Sequence, residues 1–374
     1  MCGKQHTELG VERLVEKLCR KRSLSLAEYE LLVAQRTPKI AQQLAAHAVE
    51  VRKRVYGAKV FTRGLIEASS YCKNDCLYCG IRRSNRAARR YRLSPDEIVE
   101  CANNGYELGF RTFVVQGGED PFFTDDVLCG VVSRIREAHP DCAVTLSFGE
   151  RAPQSYARLR AAGAERYLLR HETASPELYA RWHPSSMSFD NRMRCLGELR
   201  AAGFAVGAGF MVGAPFQMAA DLARDLKFIE LFKPEMCGIG PFIPHHATPF
   251  ASYPPGSVEL TCYVLSIIRI VVPNVLLPAT TALGTIDARG RELGIFSGAN
   301  VVMPNLSPVA HRKDYDLYDN KICTGEEAAE CRGCLGARML SIGYQLVVDR
   351  GDVAPLPQTI RLETREEQRH GRSI

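Results

Sequence analysis

Nothing in this 374-residue chain approaches the roughly 20 consecutive apolar residues that a bilayer-crossing helix needs, so no membrane span and no membrane partner is expected. Low-complexity linkers and short sequence repeats are also missing. A charge of one sign is lacking too: 48 Lys and Arg stand against 42 Asp and Glu, a net +6. The one dense basic stretch, Arg82–Arg92 (RRSNRAARRYR), reads as a solvated loop. It could hold phosphates, but no RNA-binding module accompanies it, and no nucleic-acid partner is expected. Glu8, Glu12 and Glu16 stand among the basic residues of the N-terminus, which argues against a signal or transit peptide. A reducing cytoplasm is the expected location. Tryptophan is nearly absent, and the single Trp182 is expected in the core.

Cysteine is what the chain has in excess, with 14 residues. In a reducing compartment these are not expected to be disulfides. Eight of them (Cys2, Cys19, Cys101, Cys129, Cys142, Cys195, Cys237 and Cys262) are scattered through apolar or helical patterns and read as small buried hydrophobes or inert thiols. The other six form two tight groups, Cys72, Cys76, Cys79 and Cys323, Cys331, Cys334.

The first sixty residues read as helices. Ser25-Leu26-Ala27-Glu28 is a capping box, and Thr37-Pro38 opens a helix that Gly57 can close. From residue 64 short apolar runs alternate with amphipathic stretches. The runs are Leu65–Ser69, Thr112–Gln116, Ala143–Phe148, Arg166–Arg170, Ala205–Met211, Glu235–Gly240, Val275–Thr280 and Asn300–Met303. Ser94-Pro95-Asp96-Glu97 and Ser175-Pro176-Glu177 start helices between them. Alternating β and α units imply parallel strands with crossover helices. Eight such units predict an α/β fold, a (β/α)8 TIM barrel, with the doubly wound open sheet as competitor. The expected divisions are 1–60, a helical extension; 61–310, the barrel; 311–360, a C-terminal Cys-rich segment; and 361–374, a charged tail. Polar residues gather at the ends of the runs, at Gln116–Asp120, Thr145–Glu150, Arg170–Thr173 and Thr280-Thr281. That is the face on which barrel enzymes build their sites.

The loop SSYCKNDCLYCGIRRSN carries three cysteines, four and then three residues apart. Thiolates in a tight loop suit an iron–sulfur cluster. Three thiolates bind three irons of a cubane and leave the fourth open to a substrate. A zinc site with a distant fourth ligand such as His245 or His246, or a thiol redox pair Cys76–Cys79, are the alternatives.

The C-x3-C-x2-C spacing, with Tyr78 before the last cysteine, resembles the signature of the radical S-adenosylmethionine (SAM) superfamily. The resemblance implies a [4Fe-4S] cluster on Cys72, Cys76 and Cys79. Its open iron is chelated by SAM, which is cleaved reductively to a 5′-deoxyadenosyl radical. By the same resemblance Gln116, Gly117, Gly118 and Glu119 hold the SAM amine, Ser147 and Glu172 with Arg192 hold ribose and carboxylate, and Tyr78 shields the cluster or packs on a ring. Further stretches (VVQGGEDPFF, TLSFGER, LLRHETASPELYARWHP, GAGFMVGAPFQ, LLPATTALGTID and KDYDLYDNKIC) resemble the radical SAM maturases of [FeFe]-hydrogenase, in the biotin synthase-like group. Gly117 departs from that pattern, where a serine is expected. The likeness implies a cavity lined by Thr145, Arg170, Thr280, Thr281, Met303 and Tyr315. Its substrate is an iron–cysteine complex carrying CO and cyanide, the partner maturases are HydG and HydF, and an external reductant supplies single electrons. Cys323, Cys331 and Cys334 are expected to hold an accessory [2Fe-2S] or [4Fe-4S] cluster, with a structural zinc clip or a Cys-rich surface loop as the alternatives. The competing readings are a methylornithine synthase or biotin synthase relative, and a non-catalytic iron–sulfur carrier. His171, between Arg170 and Glu172, should face away from them by strand alternation.

Overall fold

The computed structural model describes residues 2–325, 332–358 and 360, with side chains from Gly10 onward. Cys331 and the tail 361–374 lie outside the described residues. Three helices open the chain: α1 (Cys2–Lys21), α2 (Leu26–Ala34) and α3 (Pro38–Tyr56). The Ser25 hydroxyl accepts from the Glu28 N–H and the Glu28 carboxylate from the Ser25 N–H, so α2 begins in the expected capping box. Thr37 caps α3, and Gly57 ends it at φ 61°, a conformation that costs glycine little. The buried Glu230, on helix Ala219–Phe232, accepts from the Ser23 and Tyr29 hydroxyls at 2.8 and 2.7 Å, which ties α2 to the barrel.

The strands are β1 (Lys59–Thr62), β2 (Gly64–Ser69), β3 (Thr112–Gly117), β4 (Ala143–Ser147), β5 (Arg166–Leu168), β6 (Ala205–Ala208), β7 (Met211–Val212), β8 (Met236–Cys237), β9 (Gly240–Pro241), β10 (Val301–Val302) and β11 (Gln345–Val347). Every ladder between them is parallel. Hydrogen bonds run in the order β2-β3-β4-β5-β6-β8. The bridges Met236–Leu276, Pro278–Val301 and Leu65–Asn305 close the ring. The fold is the expected (β/α)8 barrel.

The barrel is less regular than the apolar runs predict. The fifth and sixth runs each split in two, where Gly209 meets Gly238 so closely that a Cβ on Gly209 would stand 2.0 Å from the Gly238 oxygen. The seventh run joins only through isolated bridges: Pro278 has no N–H to donate, and the Leu277 N–H goes to Asn300 Oδ1 at 2.9 Å. β1 and β11 were not anticipated. β1 continues into β2 past a bend at Arg63 and pairs with both β10 and β11. Residues 304–325 then cross the mouth, where the Gly80 N–H donates to the Leu317 oxygen at 2.9 Å. Trp182 is fully buried, as expected. No helix among the described residues is long and apolar enough to cross a membrane.

Candidate active site

Strand register decides which side chains meet at the mouth. Glu67 pairs with Gln116, and Gln116 with Ser147, so three polar residues stand level on neighbouring strands. They line a cavity of about 410 Å3 that reaches from the cysteine loop into the barrel. Cys72, Cys76, Tyr78 and Cys79 border it from the loop after β2. Gln116, Gly117, Gly118 and Glu119 border it from the end of β3, with Ser147, Arg170, Glu172 and Arg192 beyond. Thr280, Thr281, Met303 and Tyr315 complete the wall. Both threonines can do so because the strand has ended: Thr280 precedes, and Thr281 opens, the helix Thr281–Ile286. Thr145 is the exception. It lies a layer deeper, in a cavity of about 30 Å3 shared with Arg63, Leu168 and Met303.

Glycines set how closely the parts approach. A Cβ on Gly118 would stand 2.2 Å from the Tyr71 oxygen and 2.7 Å from Cys72 Cβ. One on Gly149, at φ 70°, would stand 2.1 Å from the Glu119 carboxyl group. At Gly117 the nearest atom is a ring carbon of Phe148, 2.9 Å away, so the departure from serine makes room for that ring.

Burial pushes the Cys72 and Cys76 thiols up and Cys79 up to about 12, with the neighbouring thiolates adding to the shift at Cys76 and Cys79. Three thiolates here therefore need the positive charge of metal ions. One tetrahedral ion would draw its sulfurs to roughly 4 Å of one another, given metal–sulfur bonds of about 2.3 Å. Among the described residues, only His245, His246 and Asp319 bring their ligand atoms within 4.8 Å of one another. The three loop sulfurs are not all gathered within that distance, so they are not preset around a single ion. His245 and His246 are engaged with Asp316 at 3.0 Å and Asp319 at 2.7 Å.

Arg192 Nε donates to Glu150 at 2.6 Å and Nη1 to the Arg170 oxygen at 2.6 Å, while Nη2 stays 3.9 Å from Glu119. Glu172 holds φ 66°, bridged to Phe210. His171 faces out from the barrel, 3.3 Å from buried Asp225, as alternation requires. The Tyr78 hydroxyl lies 3.1 Å from His183 Nε2, whose Nδ1 meets the Tyr179 oxygen at 2.9 Å. Arg170 Nε and Nη2, Glu172 Oε2, Thr145 Oγ1 and Thr280 Oγ1 are buried without a hydrogen-bond partner. Arg170 Nη2 and Glu172 Oε2 form an ion pair at 3.2 Å, and Thr145 lies in the deeper cavity; buried polar groups rarely go unpaired, so Arg170 Nε and Thr280 Oγ1 suit a polar ligand in the main cavity.

Sequence reasoning placed Glu150 in a polar cluster without giving it a role, and missed Glu67, His183 and Lys321. Lys321 Nζ donates to Glu67 at 2.7 Å and to the Tyr315 oxygen at 2.8 Å, both within the cavity wall. Strand alternation through Leu65 could have flagged Glu67; Lys321 had no local signal. In the second cysteine group, Cys323 reaches the cavity rim, 2.9 Å from Arg291, and Cys334 is exposed on helix Arg332–Ser341.

A parallel barrel with three half-buried thiols on the loop after β2 has the form of a radical SAM enzyme, and the Radical SAM superfamily model matches residues 66–229. The [FeFe] hydrogenase maturase subunit HydE of Thermotoga maritima is 45% identical over 288 residues, 77% of this chain and 82% of that protein. The chain belongs to the HydE family of radical SAM enzymes. The 3-methylornithine synthase of Methanosarcina barkeri is 27% identical over 75% of this chain and 79% of its own length. The solved structure of methylornithine synthase (PylB) superposes with a TM-score of 0.77 at 23% identity, over 89% of this chain and 97% of that one. The family implies a [4Fe-4S] cluster and SAM, and the spacing and charge demand of the three thiols fit it.

Proposed function

We propose that this chain acts in [FeFe]-hydrogenase maturation on a small iron–cysteine complex carrying CO and cyanide. The observation that carries this reading is the pair of unpartnered polar atoms, Arg170 Nε and Thr280 Oγ1, in the cavity wall. A guanidinium with a free donor beside threonine hydroxyls suits an anionic, cysteine-derived ligand. Cys72, Cys76 and Cys79 hold three irons. A cluster held there would supply the single electron for reductive cleavage of the S–C5′ bond of SAM, the chemistry that the family implies.

The chain's own residues orient the SAM. Bare backbone at Gly117 and Gly118 and the Glu119 carboxylate receive its amine. Ser147 and Glu172 take the ribose hydroxyls. Arg192, fixed by Glu150, offers Nη2 to the carboxylate. Tyr78, held by His183, covers the cluster from one side. Arg170, Thr280, Thr281, Met303 and Tyr315 position the substrate, with Thr145 one layer below. Cys323, Cys331 and Cys334 hold an accessory cluster. HydG supplies the substrate and HydF receives the product, a one-electron donor recharges the enzyme, and the protein works in the cytoplasm.

The test is anaerobic incubation of reduced enzyme with SAM and the synthetic iron–carbonyl–cysteine complex. A new iron-centred paramagnetic signal, with 5′-deoxyadenosine released, is expected. Release without any change at the iron complex would overturn the substrate assignment. Loss of the irons beyond the first cluster in Cys334→Ala checks the accessory site.

A further inference from the structure

The stretch Arg82–Arg92 takes no part in the cavity wall, yet it is folded onto the outside of the cluster loop. The Arg82 N–H donates to the Cys79 oxygen at 3.1 Å and the Arg83 N–H to the Asn74 oxygen at 2.8 Å. Two of its arginines are used internally. Arg82 pairs with Asp75 at 2.7 Å. Arg90 donates to the carbonyls of Ser70, Ile81, Arg82 and Asn85 and so staples the stretch to the loop.

That stapling leaves the remaining cations facing water. Arg83, Arg86, Arg89 and Arg92 are exposed. Arg83 and Arg86 have no ion-pair partner among the described residues, while Arg89 pairs with Asp314 at 3.6 Å. Arg92, held by Asp120, lies 3.9 Å over the ring of Tyr71 and 5.4 Å from that of Phe122. Both rings are exposed, and Tyr71 precedes the ligand Cys72. The face is a cationic ridge beside two amphipathic rings, in covalent continuity with the cluster's thiolates.

We propose that this ridge docks an acidic one-electron carrier protein that reduces the cluster. The proposal rests on the iron–sulfur reading of the loop. Per turnover the carrier loses one electron and the cluster gains one, and no bond forms or breaks between the proteins. A patch of few exposed charges suits a short-lived complex steered by charge and sensitive to salt. A nucleic acid could use the same cations, but the continuity with a redox centre favours the carrier.

The test compares wild-type holoenzyme with Arg83→Glu/Arg86→Glu, reading 5′-deoxyadenosine release with dithionite or with a reduced acidic flavodoxin. With dithionite the two should agree within about twofold. With flavodoxin the variant should lose about tenfold in kcat/KM, the effect of removing steering charges from an interface, and the wild-type rate alone should fall as salt rises. Equal flavodoxin rates overturn the proposal, as does tighter wild-type binding of a tRNA pool than of flavodoxin. If the charge-reversed loop proves damaged, with the dithionite rate lost, Arg83→Gln/Arg86→Gln repeats the comparison and decides it. Failure of the wild type to release 5′-deoxyadenosine with dithionite would sink the radical SAM assignment itself, a separate result.

Discussion

Arg170 pairs through Nη2 with Glu172 Oε2 at 3.2 Å, while its buried Nε has no hydrogen-bond partner. A charge-assisted contact to substrate here is worth about 2–3 kcal/mol. Arg170→Met should therefore raise KM for the iron complex roughly 30- to 150-fold while SAM cleavage without substrate stays intact. Steady-state kinetics in both conditions decide it. The glycine pair gives a sharper contrast. Gly118→Ala meets backbone at 2.2 Å and should lower the iron content of the reconstituted enzyme. Gly117→Ser meets only the Phe148 ring, which can shift, and should load iron normally, as iron and sulfide assays will show.

His183 has a proton-dependent role. Burial pulls His183 and His171 down to about 3 from the usual 6.5. Between those values the unfolded chain binds protons that the native chain refuses, so stability rises with pH across that window and is fully present above it. Asp225, pushed up by burial, opposes this at His171, so His183→Gln is the cleaner probe. It should flatten the loss of stability between pH 6.5 and 4 in urea unfolding, and an unchanged slope would contradict it.

At the scale of elements, the starts and stops of helices were legible because caps are local chemistry. Ser25, Thr37 and Ser94 each accept from the N–H three residues on, and their own side chains suffice for that. Strand ends were less legible. β5 is three residues long, and the runs after it break where backbone meets backbone, which is a partner's property and not the run's own. The docking of α2 belongs to this scale too. Glu230 accepts from Ser23, Leu24, Tyr29 and Lys227. Glu230→Ala strands those donors, which should cost about 2–4 kcal/mol and raise amide exchange across residues 24–34 as one unit, without changing the barrel's exchange.

For the whole molecule, the three proposed cluster cysteines stand on a single loop while the core runs continuously through barrel and flanking helices. Chelating the iron should leave far-UV circular dichroism intact and make residues 70–85 exchange faster; a collapse of helicity would mean that the barrel needs the cluster to fold. Alternation of apolar and amphipathic stretches determined an α/β fold of parallel strands, because a period is a property of consecutive residues, while closure of those strands into a barrel was decided by the tertiary structure. The three thiols with their spacing determined the cofactor class, because metal ligation starts from donor type and interval. What only tertiary structure decided is the company those residues keep. Glu150 holds Arg192, and Lys321 meets Glu67 across more than half the chain. Thr145 sinks a layer below the residues expected beside it. Such meetings follow from strand register and barrel closure, long-range geometry that no local window of sequence encodes.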